Sequence, residues 1–436
     1  MSRPFFTALA GAAWVAAPGR LPAQTAGPPI DTVLARRFFR EAAAATALDG
    51  GRLWGRSLAG PILFVDPVTR TVLTDSADAE GRLTPLGGYY TGQLPPSENA
   101  ANTAFRWSGR LWAMILWPPT TDSLQRQVLF AHELWHRIQG DLGLPSTAPA
   151  NAHLGTRDGR LWLRLEGRSL RRAIDSRRDA RARAIADALA FRRQRQAQFP
   201  GADSTERLLE MHEGLAEYTG VILATPSGEG RRALVTSRLV TLDTTTHFER
   251  DFAYQTGPAY GFLLDEVAPG WRTGLTGGDD LSQLLGRALG GERSSPPSAA
   301  ARGGRYGYAA VRRDEDARDR RRKARVAALR ERFASGPLLE LPLREMKLGF
   351  DPSQVEALDS LGSVYGKLRL SDRWGVLECD GSGGLVTSDW STVVVPAPAA
   401  TDGRRLTGPG WVLDLAPSWR IAPGRRRGDW TVVQEP

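Results

Sequence analysis

The sequence predicts an α+β protein: a helix and β-sheet part, a long helical part, and a small β-rich carboxy-terminal domain. Three observations carry this. Short β-type runs cluster between Ile62 and Trp117, helical periodicity dominates from Thr121 to about Gly290, and short β-type runs return after Pro337. The chain has 436 residues, enough for two to three domains at roughly 100–200 residues each. Hydrophobic residues make up 41% and charged residues 24%, which excludes a largely disordered chain. No run reaches about 18 uninterrupted apolar residues, so no internal membrane span is expected.

Residues 1–26 read as a secretory signal peptide. Arg3 precedes the 13-residue apolar run Phe5–Ala17, and small residues follow, with cleavage expected after Ala23 or Ala26. The sequence therefore predicts a secreted or periplasmic protein. Residues 27–120 hold a helix and a sheet. Asp31 can cap a helix over Asp31–Asp49, and Gly50–Gly51 stop it. Ile62–Val65 and Thr71–Thr74 flank the turn Asp66–Thr69, and Phe105–Trp107 and Arg110–Trp117 flank Ser108–Gly109. Leu111–Trp117 (LWAMILW) is apolar on both faces, the pattern of a buried strand. Residues 121–289 are helical, with two Arg-rich helices over Leu161–Ile174 and Arg177–Phe199. Residues 290–336 supply a linker (Gly290–Gly304) and a charged, solvated helix (Arg312–Phe333). Residues 337–436 are β-rich, with runs at Lys367–Leu370, Trp374–Glu378, Ser391–Val395, Trp411–Leu415 and Trp430–Val433.

The formal charge is +9, which invites a nucleic-acid reading. Only Lys323, Lys347 and Lys367 are lysines, however, and no nucleic-acid motif is present. An arginine bias beside abundant Ala and Gly reflects composition, so no nucleic-acid partner is expected. Cys379 is the one cysteine, so neither an intrachain disulfide nor a four-cysteine metal site can form.

The chemistry sits in HELWH, residues 132–136. On a helix, His132 and His136 are stacked neighbours, and their imidazoles can share one Zn²⁺. Glu133 is turned away by about 100° (3.6 residues per turn), so it faces a water held on the ion rather than the ion itself. The flanks are helical: Leu124, Val128, Ala131, Trp135, Ile138 and Leu142 form one apolar stripe, Thr120 or Thr121 is the expected cap, and Gly140, Gly143 and Pro145 end the element. A third ligand is needed. The continuation HExxHxxGxxH fails, because residue 139 is Gln and residue 142 is Leu. Met211–Gly220 (MHEGLAEYTG) offers Glu213 and Glu217 four apart, in a helix that Asp203 and Glu206 can open as a capping box and Pro226 closes. Asp141, Glu166, Glu210 and His212 are rivals for the ligand. The alternative to a site is a solvated acidic stripe, Glu206, Glu210, Glu213 and Glu217. Against it, Gly214 and Ala216 make one side small enough for another helix to approach, and the Arg-rich helices can pair with spare carboxylates.

HExxH followed by EGLAEY resembles the gluzincin metallopeptidases, in particular their aminopeptidase-like branch. The resemblance covers about Arg110–Glu266 and implies a zincin-like core: an antiparallel sheet edge, the HExxH helix and a Glu-bearing helix. It implies one Zn²⁺ held by His132, His136 and Glu213, with Glu133 as general base and Glu217 orienting a ligand histidine. Tyr254, in YQTGPAYGFLLDE, is similar to the tyrosine that steadies the oxyanion in that branch; Tyr260 and His247 are its rivals. The resemblance also implies that Arg110–Trp117 pairs with an extended substrate. The departures are a long, Arg-rich stretch between His136 and Glu213, His212 in place of Asn, and no G-x-M-E-N-like segment, so aminopeptidase specificity is not carried over. The sequence thus leads to a secreted zinc metallopeptidase acting on peptides or proteins. The alternatives are a zinc hydrolase for a non-peptide amide and a non-catalytic scaffold of the same ancestry; the intact Glu133 speaks against the scaffold.

Overall fold

The computed structural model describes residues 30–95, 98–290, 298–351 and 354–435. The predicted signal segment 1–26 lies outside them, as do residues 291–297 of the predicted linker. The chain is mixed α/β and divides into two compact units, which meet in sequence at Asp316–Ala317.

The first unit opens with helix α1, Thr32–Asp49. The Asp31 carboxylate accepts from the backbone N–H groups of Val33 and Leu34 at 2.8 and 3.0 Å, and Gly50 closes the helix at φ +56°, where a side chain would be strained. Six strands follow: β1 Ile62–Val65, β2 Thr71–Thr74, β3 Thr84–Leu86, β4 Tyr89–Gln93, β5 Thr103–Trp107 and β6 Arg110–Leu116. Both expected hairpins form. Strands β3 and β4 were not foreseen, because neither buries a residue and so neither leaves an apolar alternation to read.

The sheet order is β3-β4-β2-β1-β6-β5. Trp112 to Ile115 of β6 are all buried, as the two-faced apolar run requires. Ala113 and Ile115 pack with Phe38, Phe64, Phe130 and Leu134, while Trp112 and Met114 pack on the opposite face with Leu63, Val65 and Val72. The structure corrects one expectation. Strand β6 is not an edge: it pairs parallel with β1 and antiparallel with β5, so the sheet is mixed and β5 is the outer strand on that side. A run apolar on both faces tells that the sheet is covered above and below, and leaves open which strands pair along its two edges.

The helices are α2 Ser123–Gln139, α3 Arg157–Ile174, α4 Arg178–Gln198, α5 Ala202–Leu209, α6 Leu215–Ala224, α7 Gly228–Leu242, α8 Phe248–Val267, α9 Leu281–Ala288, α10 Ala299–Gly303 and α11 Tyr308–Ala334. Asp122, not Thr120 or Thr121, caps α2, accepting from Leu124 and Gln125 N–H. Between α5 and α6 the helix continues through a π turn, Glu210–Gly214, in which Leu215 N–H donates to Glu210 C=O. The expected capping box is absent: Gly201 precedes α5 with no side-chain cap, and Glu206 turns inward. One apolar core, including Trp135, Leu163, Leu215, Tyr218, Tyr260 and Leu263, joins these helices.

The Arg-rich segment is an internal frame. Arg192 and Arg195 of α4 are fully buried. Arg192 grips Glu210 with two bonds of 2.9 and 2.6 Å, and Arg195 grips Glu206 at 2.6 and 2.8 Å and Glu166 at 2.6 Å. Charge in a dry interior must be paired, and here each carboxylate is. In α11 most of the surface is solvated as expected, but Val311 and Glu315 are buried, Glu315 between Arg160 and Arg164.

The second unit holds an eleven-stranded sheet between Leu338 and Gln434. Each predicted β-run falls on one of its strands. Leu339, Leu370, Leu377, Val393 and Leu413 form its core with Trp374 and Trp411, and Cys379 is buried among them. Among the described residues, no helix is long and apolar enough to cross a membrane.

Candidate metal centre

Asp122 starts α2 in a phase that carries His132 and His136 onto its inner side. Their Nε2 atoms lie 3.1 Å apart. Glu213, from the π turn, sets Oε2 at 3.2 Å from His132 Nε2 and 3.5 Å from His136 Nε2. An ion bound tetrahedrally at about 2.0–2.1 Å separates its ligand atoms by about 3.3 Å. The three edges bracket that value, so His132, His136 and Glu213 can hold a metal ion. Two glycines allow the approach. A Cβ on Gly220 of α6 would meet Val128 O of α2 at 2.6 Å, and a Cβ on Gly257 of α8 would meet the Gly214 carbonyl at 2.6 Å. Only bare backbone lets α2, α6 and α8 come this close.

Each histidine is oriented from behind. His132 Nδ1 faces Glu217 Oε2 at 3.2 Å, and His136 Nδ1 faces Gln139 Oε1 at 2.8 Å. Both Nδ1 atoms then donate, and both Nε2 lone pairs point into the triangle. Gln139 is itself held, since its Nε2 donates to Pro145 O. Glu217 is held by Arg238 of α7 at 2.6 Å.

The electrostatics favour positive charge at the centre. Burial works to lower the His132 pKa, but hydrogen bonds to Glu213 and Glu217 outweigh it and push it up to about 10. Burial works to raise Glu213, yet His132 and His136 hold its carboxyl well below the usual range. The carboxylates that favour a proton on His132 would equally favour a bound cation. Glu133 is buried beside it. Its pKa is raised, by burial first, and its Oε2 has no hydrogen-bond partner among the described residues. A buried carboxylate oxygen without a partner next to a ligand triangle is what a base awaiting a water's proton requires.

Tyr254 of α8 lies beside the triangle. Its ring stacks on His132 at 5.6 Å and 3°, and its hydroxyl bonds to Glu213; burial and then the Glu213 charge raise its pKa. The rivals are elsewhere. Tyr260 donates to Glu166, and His247 bonds Thr246 at the surface. Asp141 is exposed and pairs with Arg56, while Glu166 and Glu210 belong to the Arg192–Arg195 frame. His212 is close, its ring 4.6 Å from that of His136, but its Nδ1 faces Gln139 Oε1. Burial and then the His136 charge bring its pKa down to about 4, so it is a neutral neighbour.

Sequence reasoning missed two supporting residues. Gln139 stood three residues after His136 on the same helical stripe as the two histidines, but the sequence reading gave it no role there. Arg238 is one arginine among many on α7 and left no local signal.

No protein-family model matches this chain, and neither a curated protein nor a solved structure matches it.

Proposed function

We propose that the protein is a zinc metallopeptidase of gluzincin type with a zincin-like core, and that it works outside the cytoplasm once residues 1–26 are removed. The observation that carries this reading is the 3.1, 3.2 and 3.5 Å triangle of His132, His136 and Glu213 with the partnerless Glu133 oxygen beside it. Two imidazoles and one carboxylate are the donor set of catalytic zinc sites that leave a position for water.

A bound zinc supplies Lewis acidity to a carbonyl oxygen and lowers the pKa of its water to about 7. The chain's own residues do the rest. Glu133, its basicity raised by burial, takes the proton of the attacking water and passes it to the departing amine. Tyr254 turns its hydroxyl from Glu213 to the oxygen that gains negative charge. Glu217 and Gln139 keep His132 and His136 in one tautomer throughout.

Strand β5 is the surface for an extended substrate, in place of β6. Trp107 and Arg110 flank a two-residue turn and form a hydrogen-bonded pair, so alternation turns the backbone N–H and C=O of Ala104 and Arg106 to the open edge. Strand β5 also packs on α2, which carries the histidines. Peptide substrates can add there as a further strand.

The test is zinc stoichiometry of the mature protein beside turnover of a mixed peptide library by wild type and Glu133→Gln. One zinc in both proteins, with cleavage by wild type alone, is expected. A folded wild type that takes up no zinc would overturn the reading.

A further inference from the structure

We propose that Arg238 is a positioning residue of the metal centre, acting through Glu217 to fix His132 as a ligand. This rests on the metal-site reading above. Glu217 is a buried carboxylate with both oxygens engaged: Oε2 faces His132 Nδ1 at 3.2 Å, and Oε1 forms an ion pair with Arg238 Nη2 at 2.6 Å. A carboxylate held at one oxygen swings about its Cγ–Cδ bond; held at both, it presents a fixed acceptor. Arg238 is itself anchored, because Nη2 also donates to Gln125 Oε1 at 2.8 Å. Gln125 lies on α2, about two turns before His132 at 3.6 residues per turn. The chain of contacts therefore runs from α2 through α7 to α6 and back to the ligand on α2.

The charge count gives the same answer. Glu217 has a side chain only 7% exposed, and a buried charge needs a partner. Among the described residues, Arg238 is the one arginine or lysine that forms an ion pair with it. Without Arg238, Glu217 loses that ion pair and is free to turn toward solvent and leave His132 Nδ1 unheld.

The experiment measures the zinc dissociation constant of the full chain by competition with a chromophoric chelator. The proteins are wild type, R238Q, R238M, R238K, E217Q and the double variant R238Q/E217Q, each checked for fold by circular dichroism. Loss of a group that orients a ligand costs about 10–100-fold in metal affinity. R238Q and R238M should each weaken zinc about tenfold, the low end of that range, and R238K should recover most of it. Because Arg238 acts through Glu217, R238Q/E217Q should bind zinc no more weakly than E217Q alone, whereas a merely structural arginine would add its own loss. Wild-type zinc binding in both R238Q and R238M, or losses that multiply in the double variant, would overturn the inference. A wild type that binds no zinc would instead defeat the metal-site reading itself.

Discussion

Replacing Arg195 tests whether the Arg-rich helix α4 is a frame or a substrate selector. Arg195 is fully buried and makes three charge-assisted bonds, two to Glu206 and one to Glu166. In Arg195→Met, Glu206 keeps His153 at 2.7 Å and Gln196 at 3.2 Å, and Glu166 keeps Arg192 at 3.2 Å and Tyr260 at 2.6 Å. Removing one partner of a buried ion pair costs about 3–5 kcal/mol, because the remaining charge stays in low dielectric. The surviving donors place the expected loss near the lower end, about 3 kcal/mol. That is a large share of the 5–15 kcal/mol typical of a native protein. The assay is urea unfolding followed by tryptophan emission and far-ultraviolet circular dichroism. R195M should lower the midpoint of the helical unit's transition. R195M/E206L should recover part of the loss, since an apolar pair replaces a buried ion pair at little cost. If R195M stays within about 1 kcal/mol of wild type, the magnitude expected of a solvated charge, the frame argument fails. A selector would leave unfolding unchanged and alter KM for charged substrates.

Tyr254→Phe keeps the ring stacked on His132 and removes only the hydroxyl, so zinc content should hold while kcat falls about 10²–10³-fold; an unchanged kcat would free Tyr254 from any oxyanion role. In Gly257→Ala the new methyl meets the Gly214 carbonyl at 2.6 Å, so α8 and the π turn must part; overpacking of this kind costs about 1–3 kcal/mol, and zinc affinity should fall with it, which thermal melts and chelator competition will read. Burial works to raise Glu206, but Arg195 holds it well below the usual carboxylate range. A lowered folded pKa gives stability that is present above the unfolded value of about 4.3 and fades as pH falls through the folded one. The advantage of wild type over Glu206→Gln in urea should therefore be full at pH 7 and shrink below about pH 4; a gap that does not vary with pH would contradict the pairing.

What the sequence made legible was periodic or punctuated. HELWH lay inside a 3.6-residue apolar stripe, so the helix and the facing of its histidines followed from spacing alone. The run Leu111–Trp117 declared its burial through seven apolar residues but not which neighbour covered each edge of β6, because pairing is a long-range choice. Strands β3 and β4 were invisible, since β3 is exposed and β4 is only half-buried, and neither shows an apolar alternation. Asp122 outcompeted Thr120 and Thr121 as the cap because its carboxylate reaches the N–H groups of both Leu124 and Gln125. Glu206 was misread as a capping residue for a related reason. A carboxylate in a first turn is a cap by local rules, and only the fold shows that Arg195 and His153 already hold it.

The acidic helix shows how one local irregularity separates two jobs. Glu206, Glu210, Glu213 and Glu217 are spaced four, three and four apart. At 100° per residue, a regular α-helix would confine all four carboxylates to an arc of about 60°. One face would then confront both the arginines of α4 and the histidines of α2, and four like charges would crowd together. The π turn Glu210–Gly214 puts one extra residue into a single turn, which rotates everything after it by about 100° relative to what precedes. Glu206 and Glu210 consequently meet Arg195 and Arg192, while Glu213 and Glu217 meet His132 and His136. The same turn is fastened at its start, where Glu210 takes the Thr256 hydroxyl of α8 at 2.6 Å, and at its end, where Gly214 lies against Gly257. Tyr254, one turn away on α8, inherits its place over His132 from those two contacts. The buried arginine frame and the candidate metal centre thus share one helical segment, and the π turn between them sets the phase in which Glu213 arrives at the histidines.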